Sequence, residues 1–221
     1  MIELAAFLGN PGKEYFRNRH NAGFLLAEKL PFQLSWQKKF KGAYAAMDRN
    51  RLTEYVPADS PLHENEISGR VHFIKPQTFM NLSGESVFQA ASFFKIQNDA
   101  IIVVHDDLEL PLGTISLKYA GGLGGHNGLR SMKACFGAAD FWRIKIGIGR
   151  PDSRLPGEGG PPGSGEGIVD WVLSDFSPAE SEILDRVLEA GAELLLKVFV
   201  CDPETLLREW TKKKIPACVQ Q

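Results

Sequence analysis

The chain has 221 residues, 43% of them hydrophobic, and a formal net charge of −2. That apolar content is enough to bury a core within one domain, and the charge balance excludes holding a polyanion through the field of the whole molecule, so a nucleic-acid partner would be met by a local basic patch. Three cysteines (Cys135, Cys201 and Cys218) without a Cys-x-x-Cys pair point to a reducing compartment and away from a disulfide framework or a zinc site, and no apolar run reaches the length of a membrane span.

In chain order, Glu3 to Leu8 reads as a short strand stopped by Gly9-Asn10-Pro11-Gly12. The residues before it have neither the basic nor the apolar region of a signal peptide, and the expectation is a cytoplasmic protein. Phe24, Leu25, Ala27 and Leu30 make a helical stripe over residues 21–30. Ala43 to Met47 and Val71 to Lys75 read as strands, and the polar stretch 48–70 between them as a loop insertion. A helix is expected over 81–96, with Val87, Phe88, Ala91 and Phe94 on one face. Ile101 to Val104, wholly apolar and β-branched, has the composition of a central buried strand.

Thr114 to Tyr119 and Arg143 to Ile148 alternate as strands do. Between them, Gly121-Gly-Leu-Gly-Gly-His-Asn-Gly128 precedes an apolar-periodic segment, so a glycine-rich loop feeds a helix start, a place where free N–H groups gather. Asn127 suits a helix cap in its own right. The Gly/Pro-rich stretch 151–167 reads as an exposed loop. Ser177-Pro178-Ala179-Glu180 is a capping box with proline at the first helical position. A last amphipathic helix starts at Asp202-Pro203 and ends in the basic Lys212-Lys213-Lys214. Alternating helices and strands indicate an α/β fold within one domain.

Unusual polar residues collect in short segments at expected strand ends and helix starts: Asn10, the run Arg17 to Asn21, Thr78 to Asn81, and His105-Asp106-Asp107. In open α/β sheets such ends converge on a cleft. His20 has the chemistry of a general base near neutral pH. Asp106 is suited to accept the His20 Nδ1–H and leave Nε2 free, while one of the two neighbouring acids is expected to serve only the turn. Asn10, Asn81 and Asn127 can each donate to a carbonyl or a developing oxyanion. Ser164 fails the G-x-S-x-G elbow, the glycine run fails the dinucleotide fingerprint, and no metal-ligand spacing joins His20, His105, Asp106 and His126.

Phe7-Leu-Gly-Asn-Pro-Gly12, Glu14-Tyr15, Arg19-His-Asn-Ala-Gly23, Lys75-Pro-Gln-Thr-Phe-Met-Asn-Leu-Ser-Gly84, His105-Asp-Asp-Leu108, Gly124-Gly-His-Asn-Gly128 and Arg143 to Arg150 together resemble bacterial-type peptidyl-tRNA hydrolases. The resemblance implies a single α/β domain with a twisted mixed sheet flanked by helices, a monomeric, metal- and cofactor-free hydrolase that cuts the ester between peptide and tRNA. It implies His20 as base and Asp106 as its partner. Asn10, Tyr15, Phe79, Asn81 and Asn127 are implied on the substrate, Met80 in the same cleft wall, and Lys118 and Arg143 near the tRNA; a few phosphate contacts from Lys118, Arg130, Lys133 and Arg143 would be enough for a salt-sensitive affinity. The competing expectation is a non-catalytic RNA-binding protein on the same fold.

Overall fold

The computed structural model describes residues 1–56, 68–151 and 165–216. The strands are β1 (Leu4–Phe7), β2 (Gln37–Lys39), β3 (Gly42–Asp48), β4 (Arg70–Pro76), β5 (Ile101–Asp107), β6 (Thr114–Tyr119), β7 (Trp142–Gly147) and β8 (Lys213–Lys214). They form one sheet in the order β2-β3-β4-β1-β5-β7-β6-β8. The central β4, β1, β5 and β7 run parallel, and the pairs outside them are antiparallel, so the sheet is mixed as expected. The helices are α1 (Ala22–Glu28), α2 (Arg49–Leu52), α3 (Ser83–Phe94), α4 (Asn127–Phe136), α5 (Gly165–Leu173), α6 (Pro178–Val200) and α7 (Leu207–Trp210).

Strand alternation builds the two cores. Ile102 and Val104 of β5, with Phe7 of β1, face Leu26 of α1 and Leu188 and Leu195 of α6. Ile101 and Val103, with Leu4 and Ala6, face Val87 and Ala91 of α3 and Leu129 and Met132 of α4. Being apolar on both sides is what makes β5 a central strand. Among the described residues, no helix is long and apolar enough to cross a membrane.

Several local expectations are corrected. The 48–70 stretch is not loop throughout: Asp48 ends β3, Arg70 opens β4, and residues 49–55 are helical turns. Arg49 is buried there, giving its guanidinium N–H groups to the carbonyls of Phe199 and Ile2, while Leu52 joins the core. Residues 57–67 lie outside the described residues. So do 152–164 of the expected 151–167 loop, and helix α5 starts at Gly165, inside that span. Phe88 is 43% exposed, so the α3 core face rests on Val87, Ala90 and Ala91 instead. The capping box at Ser177 and Glu180 is present, both halves bonded. The final helix is shorter than expected, and the basic tail returns as β8 on the edge of β6.

Candidate active site

Parallel strands β1 and β5 end side by side, and their carboxyl ends carry Asn10 and Asp106. Alternation along β5 turns Asp106 to the α1 side, with Ile102 and Val104. The approach of α1 is set by Gly23, where a Cβ would lie 2.5 Å from the carbonyl oxygens of both Leu8 and Val104. Only glycine lets the helix start press so closely on the two strand ends. The 3₁₀ turn Arg19–Asn21 leads into this helix start, and through it His20 reaches Asp106: Nδ1 lies 2.9 Å from Oδ1 and 3.1 Å from Oδ2. Both side chains are buried.

A second histidine shares the carboxylate. His126 caps α4, its Nδ1 accepting the N–H groups of Gly128 and Leu129 at 3.1 and 3.4 Å. A nitrogen that accepts carries no proton, so the proton of neutral His126 sits on Nε2, which donates to Asp106 Oδ1 at 3.1 Å. The expectation of Asn127 as the cap is corrected: the imidazole takes that place and Asn127 is exposed. His105, on the opposite face of β5, donates Nδ1–H to the Asp106 carbonyl at 2.6 Å and packs edge-on against His126.

The charges follow from this geometry. Burial alone would raise the Asp106 pKa, but the charges and hydrogen bonds of His20 and His126 hold it far below the ordinary carboxylate range. Burial pulls the His20 pKa down, yet the Asp106 carboxylate outweighs it and leaves that pKa above its ordinary value. The carboxylate is thus ionised, accepts a hydrogen bond from the Nδ1–H of His20, and leaves the lone pair of neutral His20 on Nε2. Asp107 is the turn acid: it accepts the Glu109 N–H and pairs with Lys145.

The amides are arranged unequally. Asn10 is buried, and its Oδ1 accepts the Met80 N–H at 2.7 Å. Asn21 holds the Asn10 backbone from both sides, accepting its N–H and donating to its carbonyl. The oxygen being held on Met80, the Asn10 NH₂ is the group left without a partner among the described residues and able to donate to a ligand. The Met80 turn meets α4 at Gly128, where a Cβ would lie 2.6 Å from Met80 Sδ and 3.0 Å from His126 Cε1. Asn81 and the 56%-exposed Phe79 flank that turn, and Tyr15 meets Phe79 edge to face with ring centres 6.4 Å apart.

A pocket of about 600 Å³ opens beside the pair, lined by His20, Asp106, His126 and Asn127 together with Lys118 and Val172. Asn10, Tyr15, Phe79 and Asn81 are not on the lining of this pocket. Lys118 is exposed at the pocket. Arg143 is not the surface cation expected of it. It is buried, and it spends its guanidinium on the carbonyls of Gly121, Gly122 and Ala139, bracing the glycine loop.

A sequence model of the family described as peptidyl-tRNA hydrolase matches residues 4–217. The chain belongs to the peptidyl-tRNA hydrolase family. It is 42% identical over 219 residues to a peptidyl-tRNA hydrolase of Treponema pallidum (strain Nichols), covering 97% of this chain and 96% of that relative. A peptidyl-tRNA hydrolase of Pelobacter propionicus is 41% identical over 197 residues, 88% of this chain and 87% of the relative. Among solved structures, the peptidyl-tRNA hydrolase of Acinetobacter baumannii superposes with a TM-score of 0.70 at 32% identity, covering 95% of this chain and 96% of that one.

Within this family frame, the residue that sequence reasoning left outside the site is His126. Its signal was its place just before a helix start in a glycine-rich loop. His20, Asp106 and His126 hold ligand atoms within 4.8 Å of one another, near enough to hold a metal ion. In each histidine, though, the nitrogen on Asp106 is the one engaged as an N–H donor, and hydrogen bonding accounts for the arrangement.

Proposed function

We propose that this chain hydrolyses the ester joining a peptide to the 3′-terminal ribose of tRNA, with His20 as general base and Asp106 as its partner. The observation that carries the reading is the His20–Asp106 contact at 2.9 Å beside an open pocket, in a chain of this family. Water bound at Nε2 attacks the ester carbonyl and gives its proton to His20, and the imidazolium is stabilised by the Asp106 carboxylate. The tetrahedral intermediate collapses as the protonated imidazole returns the proton to the departing ribose oxygen. An ester with a sugar leaving group needs an activated water and oxyanion donors, not a covalent nucleophile or a bound metal.

The NH₂ of Asn10 donates to the acylated aminoacyl group, and Asn81 and Asn127 supply further donors at the cleft. Tyr15 and Phe79 form an apolar edge for the peptide. Lys118, with Arg130 and Lys133, meets tRNA phosphates, giving a salt-sensitive affinity. The enzyme acts as a monomer in the cytoplasm. Purified protein incubated with N-acetyl-aminoacyl-tRNA and with its free-amine counterpart tests this reading. Cleavage of the blocked substrate, unchanged by EDTA, is expected. Binding of tRNA without cleavage would leave a non-catalytic RNA-binding protein, and inhibition by EDTA reversed by zinc would turn the histidine cluster into a metal centre.

A further inference from the structure

The residue before His20 is a buried cation away from the pocket. Arg19 is 4% exposed, with its guanidinium 3.7 Å from the Trp171 ring centre and 4.8 Å from that of Phe176. Its Nη2 donates to Glu180 Oε2 at 2.9 Å and its Nε to Ser174 Oγ at 3.2 Å. Backbone bonds run beside these: Arg19 N–H to the Ser174 carbonyl at 3.0 Å, and a bridge between Asn18 and Asp175. Nη1 is buried with no partner among the described residues. An unpaired buried N–H and a guanidinium taken out of water are a poor way to gain stability, since apolar residues of the same volume do as well or better. A planar fork clamped on two rings and a carboxylate does give a fixed geometry.

What is fixed is the relation between the base and the pocket wall. Trp171 belongs to α5, whose Ile168, Val169 and Val172 line the pocket beside His20. Trp171 is tied in turn to the end of β7, its Nε1 donating to the Gly149 carbonyl at 2.8 Å. Glu180 is the reciprocal half of the α6 capping box, so its carboxylate holds the start of that long helix and Arg19 together.

We propose that Arg19 is a positioning residue, a clamp that locks the turn carrying His20 to α5 and to the start of α6 and so holds the imidazole on Asp106. The functional consequence rests on His20 being the base. The groups facing the imidazole are Asp106 from β5 and His126 from the α4 cap, with His105 behind His126. The Arg19 guanidinium lies against the two rings instead. Loosening the clamp therefore weakens the contact with Asp106, which is what keeps the His20 charged form favoured.

The test is NMR titration of the His20 ring together with steady-state hydrolysis of N-acetyl-aminoacyl-tRNA, in Arg19→Met, Arg19→Lys and Trp171→Leu. The clamp predicts a His20 titration moved to lower pH in all three. It also predicts a kcat loss reaching about 100-fold in Arg19→Met, the size expected when a reacting group shifts by about an ångström, with KM changed far less. Lysine does not rescue, because an ammonium cannot stack and fork at once. Trp171→Leu removes one face of the sandwich without stranding Glu180 and decides the matter if Arg19→Met does not fold. A folded variant with the His20 titration in its wild-type place overturns the clamp. A moved titration with wild-type kcat upholds the clamp and overturns His20 as base.

Discussion

His20 and His126 meet across one carboxylate oxygen. Oδ1 of Asp106 lies 2.9 Å from Nδ1 of the first and 3.1 Å from Nε2 of the second, and the two ring centres are 4.8 Å apart. One imidazole is fixed by its cap bonds as an Nε2–H donor. The other has no hydrogen bond at its far nitrogen among the described residues, and the same acid sets both.

Replacing Asp106 by Asn removes the charge but keeps the shape. The amide oxygen can satisfy only part of the two N–H donors aimed at it, and the His20 tautomer is no longer held. A fall in kcat of about 10²- to 10⁴-fold is expected, with KM little changed. Steady-state hydrolysis of N-acetyl-aminoacyl-tRNA measures it, and a rate within a few-fold of wild type contradicts the shared role.

His126 serves the helix and the acid at once, and substitutions separate the two. His126→Ala removes the cap as well as the bond to Asp106, so a stability loss of about 1 kcal/mol is expected along with a drop in rate. His126→Asn keeps a capping oxygen. It should recover most of the melting temperature and none of the rate. Equal recovery of both would make the residue a cap alone.

The pH dependence has opposite signs for rate and for stability. The base works as neutral imidazole, so kcat/KM falls as pH drops through the His20 pKa, which Asp106 raises above the ordinary 6.5 against the pull of burial. For folding, a raised pKa means stabilisation fully present below the unfolded value of 6.5 and lost as pH rises through the folded pKa. Asp106→Asn should shift the acid limb of the rate profile to lower pH. The melting-temperature gap between wild type and this variant should shrink as pH rises through the same range. An acid limb that stays in place contradicts the assignment.

Lys118 and Arg143 should respond differently to substitution, although both are basic and both line the pocket. Lys118→Gln removes an exposed charge, weakens tRNA binding and lowers the slope of log affinity against log salt by about 1. Arg143→Lys cannot span the three carbonyls of Gly121, Gly122 and Ala139 that the guanidinium bridges. It should lower the melting temperature and the rate, leaving the salt slope unchanged. Filter binding over a salt series distinguishes them.

Much of this fold is written in local pattern. Ile101 to Val104 is apolar on both faces and became the middle of the sheet, and Ser177 with Glu180 carries the whole capping box in four residues. What local pattern could not show depended on distant partners. Arg49 is buried because the carbonyls of Ile2 and Phe199 await it, so a polar stretch folded into helical turns. Lys213 and Lys214 became a strand because β6 offered an open edge. The His20–Asp106 contact spans 86 residues of chain; a strand end pointed to Asp106, and a helix start with imidazole chemistry pointed to His20. Placing Asn10 on the Met80 N–H, Arg143 inside the protein and His126 on Asp106 required the packing of α4 and its glycine loop against the strand ends.

The most direct test is His20→Ala, with cleavage of N-acetyl-aminoacyl-tRNA and tRNA binding followed on the same folded preparation. The expected result is a loss of cleavage of about 10²- to 10⁴-fold, the range for removal of a general base, with tRNA affinity within about twofold of wild type, since Coulombic contact with phosphates is untouched. Wild-type cleavage by the folded variant would contradict it.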